Sequence, residues 1–305
     1  MTAGLLEGKV AVITGSTRGL GFAIAQAYAS EGAAVVVASR SVAAVEQSVS
    51  CLARDGAQAS GQVCDVADLF QATALADYAV RAFGRLDIWV NNAGVVATHG
   101  PTAHIPSQEI TQLIYTNILG VYHGTLAALR HFIPQRSGKL INMLGRGARQ
   151  PVAFGNAYAA SKAWARNFTL ALAREYKDSG VGIYGFNPGL MDTDIVRNFR
   201  VIAGYEHRAK LFRVIADFWA TSPEASARKA VWLASSATDG RTGLDVDMLG
   251  PTAMVSGVLR AGLRRLMRQQ TPFEMQVTIV PAALDVPQAS RQTPSSTVVS
   301  SEGKR

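Results

Sequence analysis

The protein is a chain of 305 residues, 48% apolar and 17% charged, whose 30 Lys/Arg against 22 Asp/Glu leave a net charge of +8. The length admits two domains or one α/β domain of about 250 residues. No run of about 18 uncharged apolar residues is present to span a bilayer, and the N-terminus lacks the basic head and long apolar core of a secretory signal, so a cytoplasmic protein is expected. Half of the positive excess falls after residue 250, where seven Arg/Lys face three acids, so nucleic acid is not the expected partner of the main body.

In chain order, KVAVIT (9–14), AAVVVAS (33–39), AQASGQVC (57–64), LDIWVNN (86–92), GKLINML (138–144) and VGIYGFN (181–187) read as buried strands. Helical periodicity fills 19–31, 41–55, 67–83, 107–134 and 156–178 between and after them. A helix at about 223–235 precedes a last strand, GLDVDML (243–249). Strand and helix in strict alternation imply right-handed crossovers and a doubly wound parallel sheet covered on both faces. The fold class is therefore α/β, a single domain over residues 1–250 with no internal repeat.

Beyond that domain, AMVSGVLRAGLRRLMRQQ (253–270) sets Met254, Val258, Leu259, Leu263, Leu266 and Met267 on one side and arginines elsewhere, the pattern of an amphipathic basic helix. From 271 onward Ser, Thr, Pro and Gln dominate, and a disordered tail is expected, although QVTIVPAAL (276–284) has the composition to pack.

The turn VITGSTRGLGFAIA (12–25) places Gly15, Gly19 and Gly21 between the first strand and the first helix. Glycines there let backbone approach a pyrophosphate, whose charge meets free N–H groups at the helix N-terminus. Farther on, Tyr158 and Lys162 stand one helical turn apart, on one face of a helix. A free phenol has a pKa of about 10. An ammonium about 4 Å away, at an effective dielectric near 20, would favour the phenolate by about 4 kcal/mol, so Lys162 is expected to tune Tyr158 downward.

Together TGSTRGLG (14–21), NNAG (91–94), Tyr158-x3-Lys162 and NPGLMDT (187–193) resemble the short-chain dehydrogenases/reductases, over roughly residues 5–250. The resemblance implies a Rossmann fold, an oxidoreductase and a nicotinamide dinucleotide. It assigns Gly15, Ser16, Arg18, Gly19, Leu20 and Gly21 to the pyrophosphate turn, and Asp65 with Val66 to the adenine. Asn91, Ala93 and Gly94 fall at the ribose, with NNAG also bracing the sheet, Pro188 and Gly189 under the nicotinamide, and Thr193 on its carboxamide. It makes Tyr158, Lys162 and Asn117 the catalytic set, with Lys162 also on the nicotinamide ribose and Asn117 holding a water in the proton path. It further implies pairing of copies through the helix at 156–178, as a homodimer or homotetramer. Without the resemblance, Asp65 would be read as a helix N-cap.

The cofactor follows from charge. An acid at the end of the second strand repels a 2′-phosphate; here that strand ends Ser39-Arg40, and Arg18 stands in the glycine turn. Guanidinium groups and a hydroxyl suit a phosphate, so NADP is expected. Cys51, Cys64 and the five histidines form no metal-ligand spacing, and no metal is expected.

One member of the family pattern is missing. Relatives carry a serine 13 residues before the tyrosine, where this chain has Gly145 in Asn142-Met143-Leu144-Gly145. Three readings stay open: another donor or a water polarises the carbonyl; the substrate needs less help; or the chain is a noncatalytic NADP-binding protein. Arg146 is a candidate substitute, against a plain solvent or loop contact. The segment 194–223 should cover the site, and its Phe199, Phe212, Phe218 and Trp219 suggest a bulky hydrophobic carbonyl or alcohol.

Overall fold

A computed structural model of the protein describes residues 4–249 and 274–282. The first half alternates as the sequence pattern predicts: β1 (Val10–Thr14), α1 (Gly19–Ser30), β2 (Ala34–Ser39), α2 (Val42–Arg54), β3 (Ala59–Val63), α3 (Leu69–Phe83) and β4 (Ile88–Asn91). Next, α4 (Ser107–Ile114) passes through one π-helical turn (Tyr115–Leu119) into α5 (Gly120–Gln135). Then come β5 (Gly138–Met143), α6 (Asn156–Glu175), β6 (Val181–Asn187), α7 (Asp194–Arg197), β7 (Asn198–Ile202), α8 (His207–Trp219), α9 (Pro223–Ala234), β8 (Leu244–Asp247) and β9 (Gln276–Val280).

Seven strands form a parallel sheet in the order β3-β2-β1-β4-β5-β6-β8. The winding reverses between β1 and β4, and in such sheets the crevice beyond the strand ends at that point is where ligands lie. Successive residues of β2 alternate between faces: Val35 and Val37 join a core with Ile24, Tyr28 and Val231, whereas Val36 joins one with Trp89, Ala127 and Phe132. Hence α1 and α9 cover one face, and α3, α5 and α6 the other. Each fully buried Val, Leu or Ile side chain contributes about 1.5–3 kcal/mol, which explains why these strands are apolar on both sides.

Local chemistry sets the helix ends. Ser41 caps α2 by accepting from the Ala44 N–H at 3.3 Å, and Asp68 caps α3 by accepting from Phe70 and Gln71. Gly84 ends α3 in the left-handed conformation, φ 81°.

One expectation is corrected. Residues 276–280, placed by composition in a disordered tail, form β9, which pairs in parallel with β7 of the covering segment. The alternation in QVTIV suits a strand, and an otherwise unpaired edge of β7 supplies the partner. That segment, to which no secondary structure is assigned from the sequence, supplies β7 itself. The basic helix expected at 253–270 lies outside the described residues, as do residues 283–305.

Candidate active site

The β1–α1 turn is a cradle from which side chains are sterically barred. Gly15 has φ 63°, and a Cβ on Gly21 would stand 2.4 Å from both the Gly15 carbonyl oxygen and Asn92 Nδ2. The N-cap residue of α1, Arg18, makes no side-chain cap bond, and among the described residues no carboxylate or hydroxyl is bonded to the first N–H groups of the helix. The turn is held by β4: Asn92 Nδ2 donates to the carbonyls of Thr14 and Gly15 at 2.9 and 3.1 Å, and Thr14 Oγ1 accepts from the N–H groups of Asn92 and Ala93.

At the rim of the cradle, Arg18 is exposed and pairs with Asp194 at 3.4 Å, linking the turn to the start of α7. Such an exposed pair contributes little stability and yields readily to a competing anion. Arg40 is exposed at the end of β2 and makes no ion pair among the described residues. The parallel register, Thr14 opposite Ala38, brings Arg18 and Ser39-Arg40 to the same edge of the sheet.

Tyr158 and Lys162 lie on the first turns of α6. Lys162 is 5% exposed, donates to the Met143 carbonyl at 2.8 Å, and sits 5.6 Å from the centre of the Tyr158 ring. Burial pushes the Tyr158 phenol up to about 12 and the Lys162 ammonium down to about 8. The expected downward tuning by Lys162 is thereby corrected: the ammonium is engaged by a carbonyl, and desolvation outweighs its pull on the phenol. Asn117 occupies the π-helical turn, a local feature frequent at functional sites. Its amide grips both backbone groups of Val95, at 2.8 and 2.9 Å, and donates to Ser161 Oγ at 3.2 Å. Ser161 in turn donates to the Tyr158 carbonyl at 2.7 Å. Asn117 thus braces the first turn of α6, which carries Tyr158.

Gly145 abuts the phenol. A Cβ built there would lie 2.6 Å from Tyr158 Oη and 3.5 Å from Lys162 Cγ. The position that a side-chain Cβ would take at 145 is thus met by the Tyr158 hydroxyl, while Gly145 and Tyr158 both line the neighbouring cavity.

The phenol opens into a cavity of about 210 Å³. Leu144, Phe154, Leu190, Val196, Phe199 and Phe212 form much of its wall, and His99, Arg146 and Arg208 supply polar groups. Phe199 of β7 lines it, and Met275, just before β9, packs behind it against the cluster of Phe199, Val201 and Ala209. His99 joins β7 through a bridge to Val201 and stacks on Phe199, ring centres 4.2 Å apart. Phe154 is held at φ 65°, a strained conformation for a non-glycine residue, by a bond from the Gly100 N–H to its carbonyl.

A glycine cradle, a buried Tyr–Lys pair on the next helix but several, and an apolar cavity between them occupy the C-terminal edge of one doubly wound sheet. A match to the short chain dehydrogenase family spans residues 9–201. The chain belongs to the short-chain dehydrogenases. It is 35% identical over 254 residues to the 3beta-hydroxysteroid dehydrogenase 1 of Eggerthella lenta, covering 83% of this chain and 96% of that one. The crystal structure of the Brucella melitensis 3-ketoacyl-(acyl-carrier-protein) reductase with NADH superposes with a TM-score of 0.71 at 28% identity, over 80% of this chain and 97% of that one. An actinorhodin polyketide ketoreductase variant with NADPH gives 0.72 at 25% identity, over 83% and 99%.

Within this short-chain dehydrogenase the assigned residues separate into two groups. Gly15, Gly19, Gly21, Arg18, Ser39, Arg40, Ala93, Gly94, Thr193, Tyr158 and Lys162 border the crevice or its rim by their place in the fold. Thr193 Cγ2 lies 3.5 Å from where a Gly19 Cβ would be, and Gly94 sits near the Lys162 ammonium. Leu20 and Val66 are buried packing residues. Ser16 is corrected: its hydroxyl donates to the Ile13 carbonyl and accepts from the Ala38 N–H, its own N–H is bound to the Ala38 carbonyl, and it is fully buried. Asn91 is corrected in part: its side chain donates to Asn142 at 2.8 Å and accepts from Trp89 inside the sheet, so the side chain braces β4 and does not face a ribose. Asp65 is no N-cap either, since Asp68 holds that place; Asp65 Oδ1 accepts from the Ala67 N–H. Pro188 and Gly189 line the cavity, Gly189 at φ 85°. Phe218 and Trp219, expected at the site, do not line it.

Sequence reasoning missed Asn92, His99, Phe154 and Arg208. Asn92 lay inside a recognised motif, and its signal was the second amide next to a turn that needs holding. His99, Phe154 and Arg208 come from loops and a helix whose convergence is tertiary, and no spacing announces it.

Proposed function

We propose that the protein is an NADP(H)-dependent oxidoreductase that interconverts a carbonyl and an alcohol on a hydrophobic substrate, with Tyr158 as the acid/base. The observation that carries this is the placement of the Tyr158 hydroxyl on the wall of the apolar cavity, with Lys162 behind it and the glycine cradle at the other side of the crevice. The cradle fits a dinucleotide: Gly15, Gly19 and Gly21 would hold its pyrophosphate, Arg18, Ser39 and Arg40 a 2′-phosphate, and Lys162 and Thr193 its nicotinamide end. When bound, the dinucleotide supplies or accepts hydride.

The chain's own part is the proton. A phenol raised to about 12 stays protonated at neutral pH, so in the resting protein Tyr158 is an acid poised to donate to a developing alkoxide. The loss of one oxyanion donor at Gly145 commonly costs about 3 kcal/mol, which slows such a reaction without abolishing it. Cavity walls of Phe and Leu exclude water from the reacting centre. On the outer faces of α5 and α6, half-exposed Trp164 and Phe168 stack at 4.7 Å beside exposed Tyr122, and this apolar face is the proposed pairing surface of a homo-oligomer.

The test is NADPH and NADH oxidation with a panel of aromatic and alicyclic ketones. The expected result is turnover with NADPH preferred; silence across the panel with NADPH still bound supports instead the noncatalytic alternative, which the missing serine favours.

A further inference from the structure

We propose that the substrate carries a carboxylate on its apolar body, and that Arg146 and Arg208 form the subsite that holds it. This rests on the cavity being a substrate site, and names the class of molecule that it selects.

Two guanidinium side chains line a cavity whose wall contains no Asp or Glu among the described residues. Most neighbouring arginines are neutralised: Arg197 by Asp192 at 2.6 Å, Arg200 by Glu109 at 2.9 Å, and Arg149 and Arg166 by Asp245 at 2.9 and 2.7 Å. Arg146 and Arg208 have no carboxylate partner among the described residues. Arg208, on the first turn of α8, lies 4.1 Å from the centre of the Phe154 ring, so its head is held at the wall rather than free in solvent. Arg146 extends from the segment after β5, next to Gly145 and the phenol.

The two charges act on a common point. His99, on the same wall, is held down to about 4 chiefly by burial, against the raising effect of a bond to the Arg200 backbone, with smaller lowering contributions from the fields of Arg146 and Arg208. The imidazole therefore stays neutral and adds no competing charge, while both arginines lie within electrostatic reach of it. Arg146 is exposed and Arg208 half-buried, and the apolar wall they border holds no acid among the described residues, so a carboxylate bound there meets two cations through charge-assisted bonds. Planar guanidinium forks match a carboxylate better than they match a neutral ester or alcohol.

The test compares benzoylpropionate, benzoylbutyrate and benzoylvalerate with their methyl esters, measuring binding by calorimetry with and without NADPH, and turnover in parallel. At least one acid is expected to bind about tenfold or more tighter than its ester, the difference that one charged hydrogen bond supplies. Arg146→Gln and Arg208→Gln should each shrink that ratio, and Arg208→Lys, which keeps the charge and the packing stem, should retain part of it. Esters binding as tightly as acids, a preference that survives both Gln variants, or no binding of any acid at millimolar concentration overturns the proposal. Acid-selective binding without turnover supports the subsite while contradicting the redox role, so the two readings fail separately.

Discussion

Tyr158 and Gly145 are in contact so close that the phenol fills the place of a side chain at 145: a Cβ there would meet Tyr158 Oη at 2.6 Å. Gly145→Ser, which restores the family's hydroxyl on paper, should therefore displace the phenol. Overpacking of this kind costs about 1–3 kcal/mol. The expected outcome is a melting temperature lower by about 2–8 °C and reduced kcat/KM, measured by thermal unfolding and steady-state kinetics. An improved enzyme with unchanged stability would mean that the phenol and a serine fit together.

His99 should govern part of the acid sensitivity. Its folded value is about 4 against 6.5 for the ordinary imidazole. On acidification the unfolded chain takes up this proton first, so the His99 contribution is fully present above pH 6.5 and is lost as the pH falls through about 4. NMR titration should find one imidazole still neutral at pH 5, and His99→Gln should flatten the stability profile between pH 6.5 and 4. A His99 resonance titrating near 6.5 contradicts the burial argument.

Arg40→Ala should weaken NADPH binding about tenfold, the worth of one charge-assisted phosphate contact, and change NADH binding about twofold or less. Fluorescence titration of both dinucleotides measures this. Equal losses for both would place Arg40 on the shared part of the dinucleotide or report a folding defect.

The strand from beyond residue 250 is expected to steady β7 and, through it, the Phe199 wall of the cavity. Met275 packs against the cluster of Phe199, Val201 and Ala209, and Val280 accepts the Ala203 N–H at 2.8 Å. Met275→Ala and Thr278→Pro should raise KM more than they lower kcat, and should open the 198–219 segment to proteolysis. An unchanged KM with both variants would show that β9 does not steady that wall.

The sheet, its flanking helices and the Tyr158–Lys162 pair were legible in the sequence because each is a local pattern: β-branched runs, 3.6-residue periodicity, glycines between a strand and a helix. What stayed hidden was tertiary. Ser16 and Asn91 stand inside recognised motifs, yet they point into the sheet, which only the pairing of β1 with β2 and of β4 with β5 reveals. The pKa direction of Tyr158 was misjudged because sequence gives the proximity of Lys162 but not its engagement by the Met143 carbonyl or the burial of both. β9 was hidden since its partner, β7, lies in a segment with no strand signature of its own.

The most direct measurement is the rate of NADPH oxidation by Tyr158→Phe with the best ketone of the panel, beside a check that NADPH still binds. Removing the proton donor while keeping the ring should lower kcat about a hundredfold or more with dinucleotide affinity changed little. An undiminished rate in the Phe variant would contradict the assignment of Tyr158 as the acid.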